Sequence, residues 1–224
     1  MNRVIGVYRR LLAHYGPQGW WPGESRFVVI VGALLMHQTS WRNVATAIGN
    51  LRRAHLLDMR RIAGAGIRPI ERHVRVAGLH RSKPARLRAF CRHLIDRADG
   101  DLDRYFGRPT GEVRRDLLRQ SGVGPETADS ILLYAGGHSV FVVDAYTVRI
   151  ARRLGWLRTD RYDDVQRFFV RNLPVDPSMY GEYHALLVAH AKAFCQPKPR
   201  CGPCPLRRVC AFGRDTKRIS PSGR

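Results

Sequence analysis

Residues 117–134, LLRQSGVGPETADSILLY, constrain the fold of this chain more than any other stretch. Two helical runs flank the tight loop Ser121-Gly122-Val123-Gly124, and Pro125 suits the first position of the second helix. Glycines permit positive-φ turns and the close approach of another surface. Val123 can plug the core between the helices, while the loop N–H groups and the start of the second helix face outward. That geometry accepts a phosphate without reading sequence, although an ordinary helix–turn–helix connection would read the same way. Twenty residues after Gly124 stands Asp144, in VFVVDAYTVRI. A carboxylate just beyond an apolar run reads as the N-cap of a helix over 145–154 or as a catalytic acid, and the two are not exclusive.

Helical periodicity runs through most of the chain. Val4, Val7, Tyr8, Leu11, Leu12 and Tyr15 make an i, i+3, i+4 stripe that ends at Gly16. Further stripes are Val44, Ala47, Ile48 and Leu51, then Val165, Phe168, Phe169 and Leu173. Ser82 with Pro84 opens a helix that carries Leu87, Phe90, Leu94 and Ile95, and Thr110 is a candidate N-cap for a helix through Leu118. Residues 181–194 read as a last long helix. The apolar run FVVIVGALLM at 27–36 suits a buried helix, but by itself fits a strand equally well. The one short strand-like run is Val140–Val143, and no hairpin signal appears. The residues after Cys210 are polar and basic and read as a mobile tail.

Length and charge narrow the class. The 224 residues suit one or two domains of ~100–200 residues each. No run of about 18 apolar residues exists, and the start of the chain is too interrupted by charge for a signal segment. A soluble, cytoplasmic protein is expected, with no membrane partner. Lys and Arg number 39 against 18 Asp and Glu, a formal net charge of +21, and only four of the 39 are Lys. Arginine forks onto phosphates, so a polyanion partner, nucleic acid first, competes with a merely solvated basic surface.

Four of the five cysteines fall within sixteen residues, Cys195, Cys201, Cys204 and Cys210, spaced C-x5-C-x2-C-x5-C. In a reducing compartment such a group reads as a metal site, either Zn or iron–sulfur. Only the middle pair is close and the outer ligands stand off on both sides. The larger core of a [4Fe–4S] cluster needs that spread, which makes Zn the runner-up. Cys91, among apolar neighbours, reads as a buried small residue.

Together, SGVGPETADSILL, VVDAYTVRI and the four-cysteine loop resemble the helix-hairpin-helix, Gly/Pro-Asp and iron–sulfur elements of the endonuclease III superfamily of DNA glycosylases. The resemblance covers roughly residues 5–212. It implies an all-α, two-lobed fold. Residues 26–137 would form a helical-barrel lobe with the hairpin, residues 1–25 and 138–213 the cluster lobe, and 214–224 a basic tail, with Asp144 in the cleft between the lobes. Within the superfamily the chain resembles the 3-methyladenine DNA glycosylase III branch most closely, through GWWPGESRF, GALLMHQTSW at 32–41, and Glu126. Endonuclease III has a lysine at or beside that last position, which attacks the sugar and allows strand cleavage. Here the residues are Gly124-Pro125-Glu126-Thr127. The resemblance therefore implies a monofunctional, monomeric glycosylase acting on double-stranded DNA with a damaged base, in base excision repair. Two features depart from pattern: the first cysteine gap is one residue shorter than usual in endonuclease III, and methyladenine-branch members can lack the cluster.

The resemblance also assigns residues. A base must leave the duplex before it can be cut off. Gly122, Val123, Gly124 and Thr127 would grip the backbone, and His37–Gln38 would fill the gap left by the base. Cleaving the N-glycosidic bond builds positive charge on the sugar, which the buried carboxylate of Asp144 would stabilise while orienting water. An alkylated purine is already cationic, so it leaves without a second acid and stacks well on electron-rich rings. Trp21, Trp41, Pro22 and Glu126 would line the base pocket, and Cys195, Cys201, Cys204 and Cys210 would hold the cluster. His184 and His190 read as packing or phosphate-contact residues rather than ligands. Lys192 would balance cluster charge or bind DNA, and Lys198, Arg200, Arg207 and Arg208 would face phosphates. The rivals are a glycosylase for uracil, mismatched or oxidised pyrimidines, with or without lyase activity, and a non-catalytic damage-binding protein.

Overall fold

Short polar residues begin most of the helices. The computed structural model describes residues 2–21, 23–79 and 81–215 and divides the chain into two units, Trp21–His138 and Met1–Trp20 with Ser139–Arg224. Pro22 and residues 216–224 of the basic tail lie outside the described residues. All regular structure among the described residues is helical, and no helix there is long and apolar enough to cross a membrane.

The unit Trp21–His138 opens with α2 (Arg26–Met36), α1 belonging to the other unit. The ambiguous apolar run is a helix because Ser25 caps it, its hydroxyl accepting from the Val28 amide at 3.3 Å. Ile30, Val31 and Leu35 are wholly buried, as expected of a helix that is apolar nearly all round. After it come α3 (Trp41–Arg53), capped by Ser40, then α4 (Met59–Gly64), capped by Asp58, and α5 (Ile67–Val74). Next are α6 (Lys83–Ala98), α7 (Leu102–Phe106), α8 (Thr110–Leu118) and α9 (Pro125–Ser130), the last running into a π-type turn at Ile131–Ala135. Thr110 does not cap α8: it lies inside the first turn, and its hydroxyl pairs with His138 Nδ1 at 2.9 Å. Cys91 is fully buried in α6, where burial pushes its thiol up to about 12.

The other unit holds α1 (Arg3–Tyr15), α10 (Ala145–Arg153), α11 (Tyr162–Asn172), α12 (Pro177–Ala193) and α13 (Ala211–Arg214). The last long helix starts earlier than its periodicity suggests, because Asp176 caps it and Pro177 occupies its first turn. The Val140–Val143 run pairs with no strand. Phe141, Val142 and Val143 are buried as extended chain, and Gln166 Nε2 donates to the Phe141 carbonyl at 2.7 Å, supplying the partner that a sheet would have given. Phe141 stacks flat on Phe169 at 4.3 Å, and the buried Tyr183 hydroxyl donates to the Val4 carbonyl, which ties α12 to α1.

Candidate active site and cysteine loop

The hairpin is locked from inside by an ion pair. Arg114 of α8 grips Asp129 of α9 with two hydrogen bonds, 2.7 and 3.1 Å, and Asp129 is fully buried. Val123 is buried beneath the loop, while Gly122, Gly124 and Glu126 are exposed and Thr127 is half-buried. Gly122 has φ +76°, and a Cβ there would come within 2.5 Å of the Arg86 side chain. Only glycine gives both the turn and the approach of that guanidinium.

Trp21 and Trp41 are brought together, with ring centroids 5.7 Å apart and planes at 90°, so they touch edge to face. Tyr134, which sequence reasoning missed, joins them at 5.5 Å from Trp21. Trp21 lies against Gly32 of α2, where an added Cβ would sit 3.1 Å from the indole nitrogen. His37 and Gln38 form the exposed turn after α2, and Gln38 has φ +54°, a left-handed conformation that a non-glycine residue adopts only when its surroundings impose it. Those surroundings include Lys83. Its buried ammonium donates to the carbonyls of His37 at 2.8 Å and Ala77 at 2.6 Å, a clamp that no periodicity could reveal. Burial holds its pKa below the usual lysine value, and Arg86 lowers it further.

In the second unit Asp144 caps α10: its Oδ1 accepts the Thr147 amide at 2.7 Å. Its Oδ2 lies 3.6 Å from Nε2 of His184, and the two side chains are 12% and 6% exposed. Burial pushes the Asp144 carboxyl upward, but the His184 ring and the Thr147 amide outweigh it, so its pKa stays below the ordinary carboxylate value. Asp144 is therefore ionised at neutral pH. Among the described residues its one ion-pair contact is this histidine. The Trp20 ring lies 5.9 Å from the His184 ring, and Lys192 places its ammonium 5.9 Å from the Trp20 centroid.

All four loop cysteines are free thiols and line one cavity with His190, Arg153 and Arg207. Arg153 of α10 donates to Cys195 Sγ at 3.3 Å and to the Gln196 carbonyl, and the Gly213 amide donates to Cys210 Sγ at 3.4 Å. Four sulfur donors about one cavity, with cationic and amide N–H groups aimed at them, fit a thiolate-ligated group whose charge needs offsetting. Among the described residues no three His, Cys, Asp or Glu side chains gather as ligands of a single ion. His190 is buried and packs there, Nε2 3.7 Å from Cys204 Sγ and Nδ1 3.1 Å from the Tyr15 hydroxyl. Burial lowers its pKa to about 4, with His14 adding to the shift, so it contacts the cavity as a neutral ring. Lys198, Arg200, Arg207 and Arg208 are exposed around the loop.

Residues 31–174 match the family model described as HhH-GPD superfamily base excision DNA repair protein. The chain belongs to that superfamily. A Methanocaldococcus jannaschii protein named as a DNA repair glycosylase is 42% identical over 210 residues, covering 92% of this chain and 95% of its own length. Endonuclease III of Thermotoga maritima is 26% identical, with 84% of each chain covered. Among solved structures, an endonuclease III in non-covalent complex with DNA superposes with TM-score 0.81 at 21% identity, covering 96% of this chain and 97% of that one. H. pylori 3-methyladenine DNA glycosylase bound to 1,N6-ethenoadenine gives TM-score 0.75 at 24% identity, covering 84% and 97%. At such identities these two establish an endonuclease III-like fold. As a member of the HhH-GPD superfamily, the protein is a DNA glycosylase of base excision repair.

Proposed function

We propose that this glycosylase excises an alkylated purine, 3-methyladenine among them, and leaves an abasic site without cutting the strand. The observation that carries the reading is Asp144, a carboxylate 12% exposed whose ionised form is favoured by an imidazole and an amide, with no arginine paired to it among the described residues. An oxocarbenium-like sugar develops the positive charge that such a group stabilises, and the carboxylate also orients the attacking water. Two further features support the finer reading. The hairpin carries Glu126 and no lysine, and of the four lysines in the chain Lys83 is committed to two carbonyls and Lys192 to a tryptophan face. An amine nucleophile for strand cleavage is thus missing from the hairpin. The aromatic group of Trp21, Trp41 and Tyr134 suits a cationic base, since a desolvated cation over an indole face gains ~2 kcal/mol.

The same proposal assigns the exposed loop glycines and Thr127 to the DNA backbone, and His37–Gln38 to the duplex. Glu126 would border the base. Cys195, Cys201, Cys204 and Cys210 would hold a [4Fe–4S] cluster, which would fix the loop and its basic side chains and takes no part in bond cleavage. The protein would act as a monomer.

The test is purified protein on duplexes carrying 3-methyladenine, 7-methylguanine, hypoxanthine, uracil, thymine glycol or a G·T mismatch, resolved with and without alkali. Borohydride is included to trap any covalent intermediate. Release of methylated purine, with strand breaks only after alkali and no trapped complex, is the expected result. Release of pyrimidines would overturn the substrate, a trapped complex would overturn the monofunctional assignment, and tight salt-sensitive binding with no release would favour a binding protein.

A further inference from the structure

We propose that His184 is a positioning residue for base excision: from α12 it holds the Oδ2 edge of Asp144 and orients the carboxylate. The inference rests on the assignment of Asp144 to the reacting sugar. Oδ1 is already fixed by the Thr147 amide at 2.7 Å. One hold leaves the carboxylate free to rock about Cβ–Cγ; a donor at the second oxygen fixes its plane. His184 Nε2 makes no hydrogen bond to Oδ2 at its 3.6 Å separation but is placed to become that donor, since the gap closes with a small side-chain adjustment. Contacts of catalytic groups are often this long before substrate arrives.

His184 is itself held. Its side chain is 6% exposed, the Trp20 ring lies against it with centroids 5.9 Å apart and planes tilted by 38°, and the Tyr183 hydroxyl beside it anchors α12 to the Val4 carbonyl. Lys192, two turns further along α12, sits over the same Trp20 ring. The choice of side chain carries the chemistry. An imidazole offers one N–H to one carboxylate oxygen, whereas a guanidinium in the same place would fork onto the carboxylate with a fixed positive charge. The chain spends arginine on its buried carboxylates, Asp116 and Asp129, and histidine without arginine on Asp144.

A double-mutant cycle tests this on the lesion that the wild type excises fastest from the panel. Single-turnover excision rates are read beside affinity for a duplex with a tetrahydrofuran abasic analogue, and each variant is melted to confirm folding. His184→Leu is expected to lower the rate about 10²-fold, the cost of a misplaced catalytic group, with affinity unchanged. His184→Gln, which restores a donor, is expected to recover at least tenfold of that. On an Asp144→Asn background His184→Leu should add little further loss. A His184→Leu rate equal to wild type would overturn the proposal, as would a folded His184→Gln no better than His184→Leu, or equal losses from His184→Leu on both backgrounds. An Asp144→Asn enzyme as fast as wild type would instead remove Asp144 from the chemistry, and the positioning role with it.

Discussion

Buried carboxylates are treated differently in the hairpin unit and at the head of α10. Asp129 is fully buried and takes a two-pronged grip from Arg114. Asp116, 5% exposed, is ringed by Arg97, Arg108 and His93. Asp144 is nearly as sheltered, in a chain of 39 Lys and Arg, yet its contacts are an amide and an imidazole. Arginine neutralises the first two, and they hold helices together. The third is ionised with no arginine beside it among the described residues, and in a sheltered setting a carboxylate acts strongly on any positive charge developing nearby. Under the proposed function, arginine is withheld at the carboxylate that would face the reacting sugar.

The largest effect should come from Asp144→Asn. The amide still accepts the Thr147 N–H and caps α10, but the charge is gone. Excision should fall by about 10³-fold, within the range for a group aimed at developing charge, while the melting temperature stays nearly unchanged. Asp129→Asn should do the reverse. Breaking the charge pairing with Arg114 costs about 3 kcal/mol, which lowers the melting temperature by on the order of 10 °C in calorimetry, while molecules that remain folded excise at close to the wild-type rate. Lys83→Met should cost less, about 2 kcal/mol in chemical denaturation, by leaving the His37 and Ala77 carbonyls without their donor. Loosening the left-handed turn at Gln38, it should also weaken duplex binding.

The smallest effect is on acid stability. Asp116 and Asp144 both have pKa values lowered on folding: burial opposes this, and Arg97, Arg108 and His93 in one case, and His184 and Thr147 in the other, prevail. A lowered carboxylate pKa adds stability above the unfolded value of about 3.9 and loses it as pH falls through the folded value. Asp144→Asn should therefore lose slightly less melting temperature than the wild type between pH 5 and pH 3. Equal losses would mean that the Thr147 and His184 contacts do not favour the ionised form.

Much of this was legible in the sequence, for physical reasons that also mark its limits. The hairpin loop, the cap at Asp144 and the clustered cysteines are local patterns whose chemistry depends on spacing along the chain. The helical nature of 27–36 became decidable only through the Ser25 cap, because an all-apolar run has no period to read. Arg114 with Asp129, Lys83 with the His37 carbonyl, Tyr134 beside Trp21, and His184 with Asp144 are long-range meetings. Periodicity shows which face of a helix is apolar, not which polar group the fold brings to it. His184 lies forty residues from Asp144 with only a helical apolar background to mark it, so the sequence alone reads it as a packing or phosphate-contact residue. Thr110 was misassigned as a cap because a better partner, His138, lies 28 residues away.

The most direct measurement sets Asp144→Asn beside Asp129→Asn on alkylated duplex DNA, at a temperature where both variants are folded, and follows the release of methylated purine in single turnover. The predicted result is near-silence from the first and close to wild-type release from the second. Wild-type release by Asp144→Asn, or equal loss in both variants, would contradict the assignment of Asp144 to catalysis.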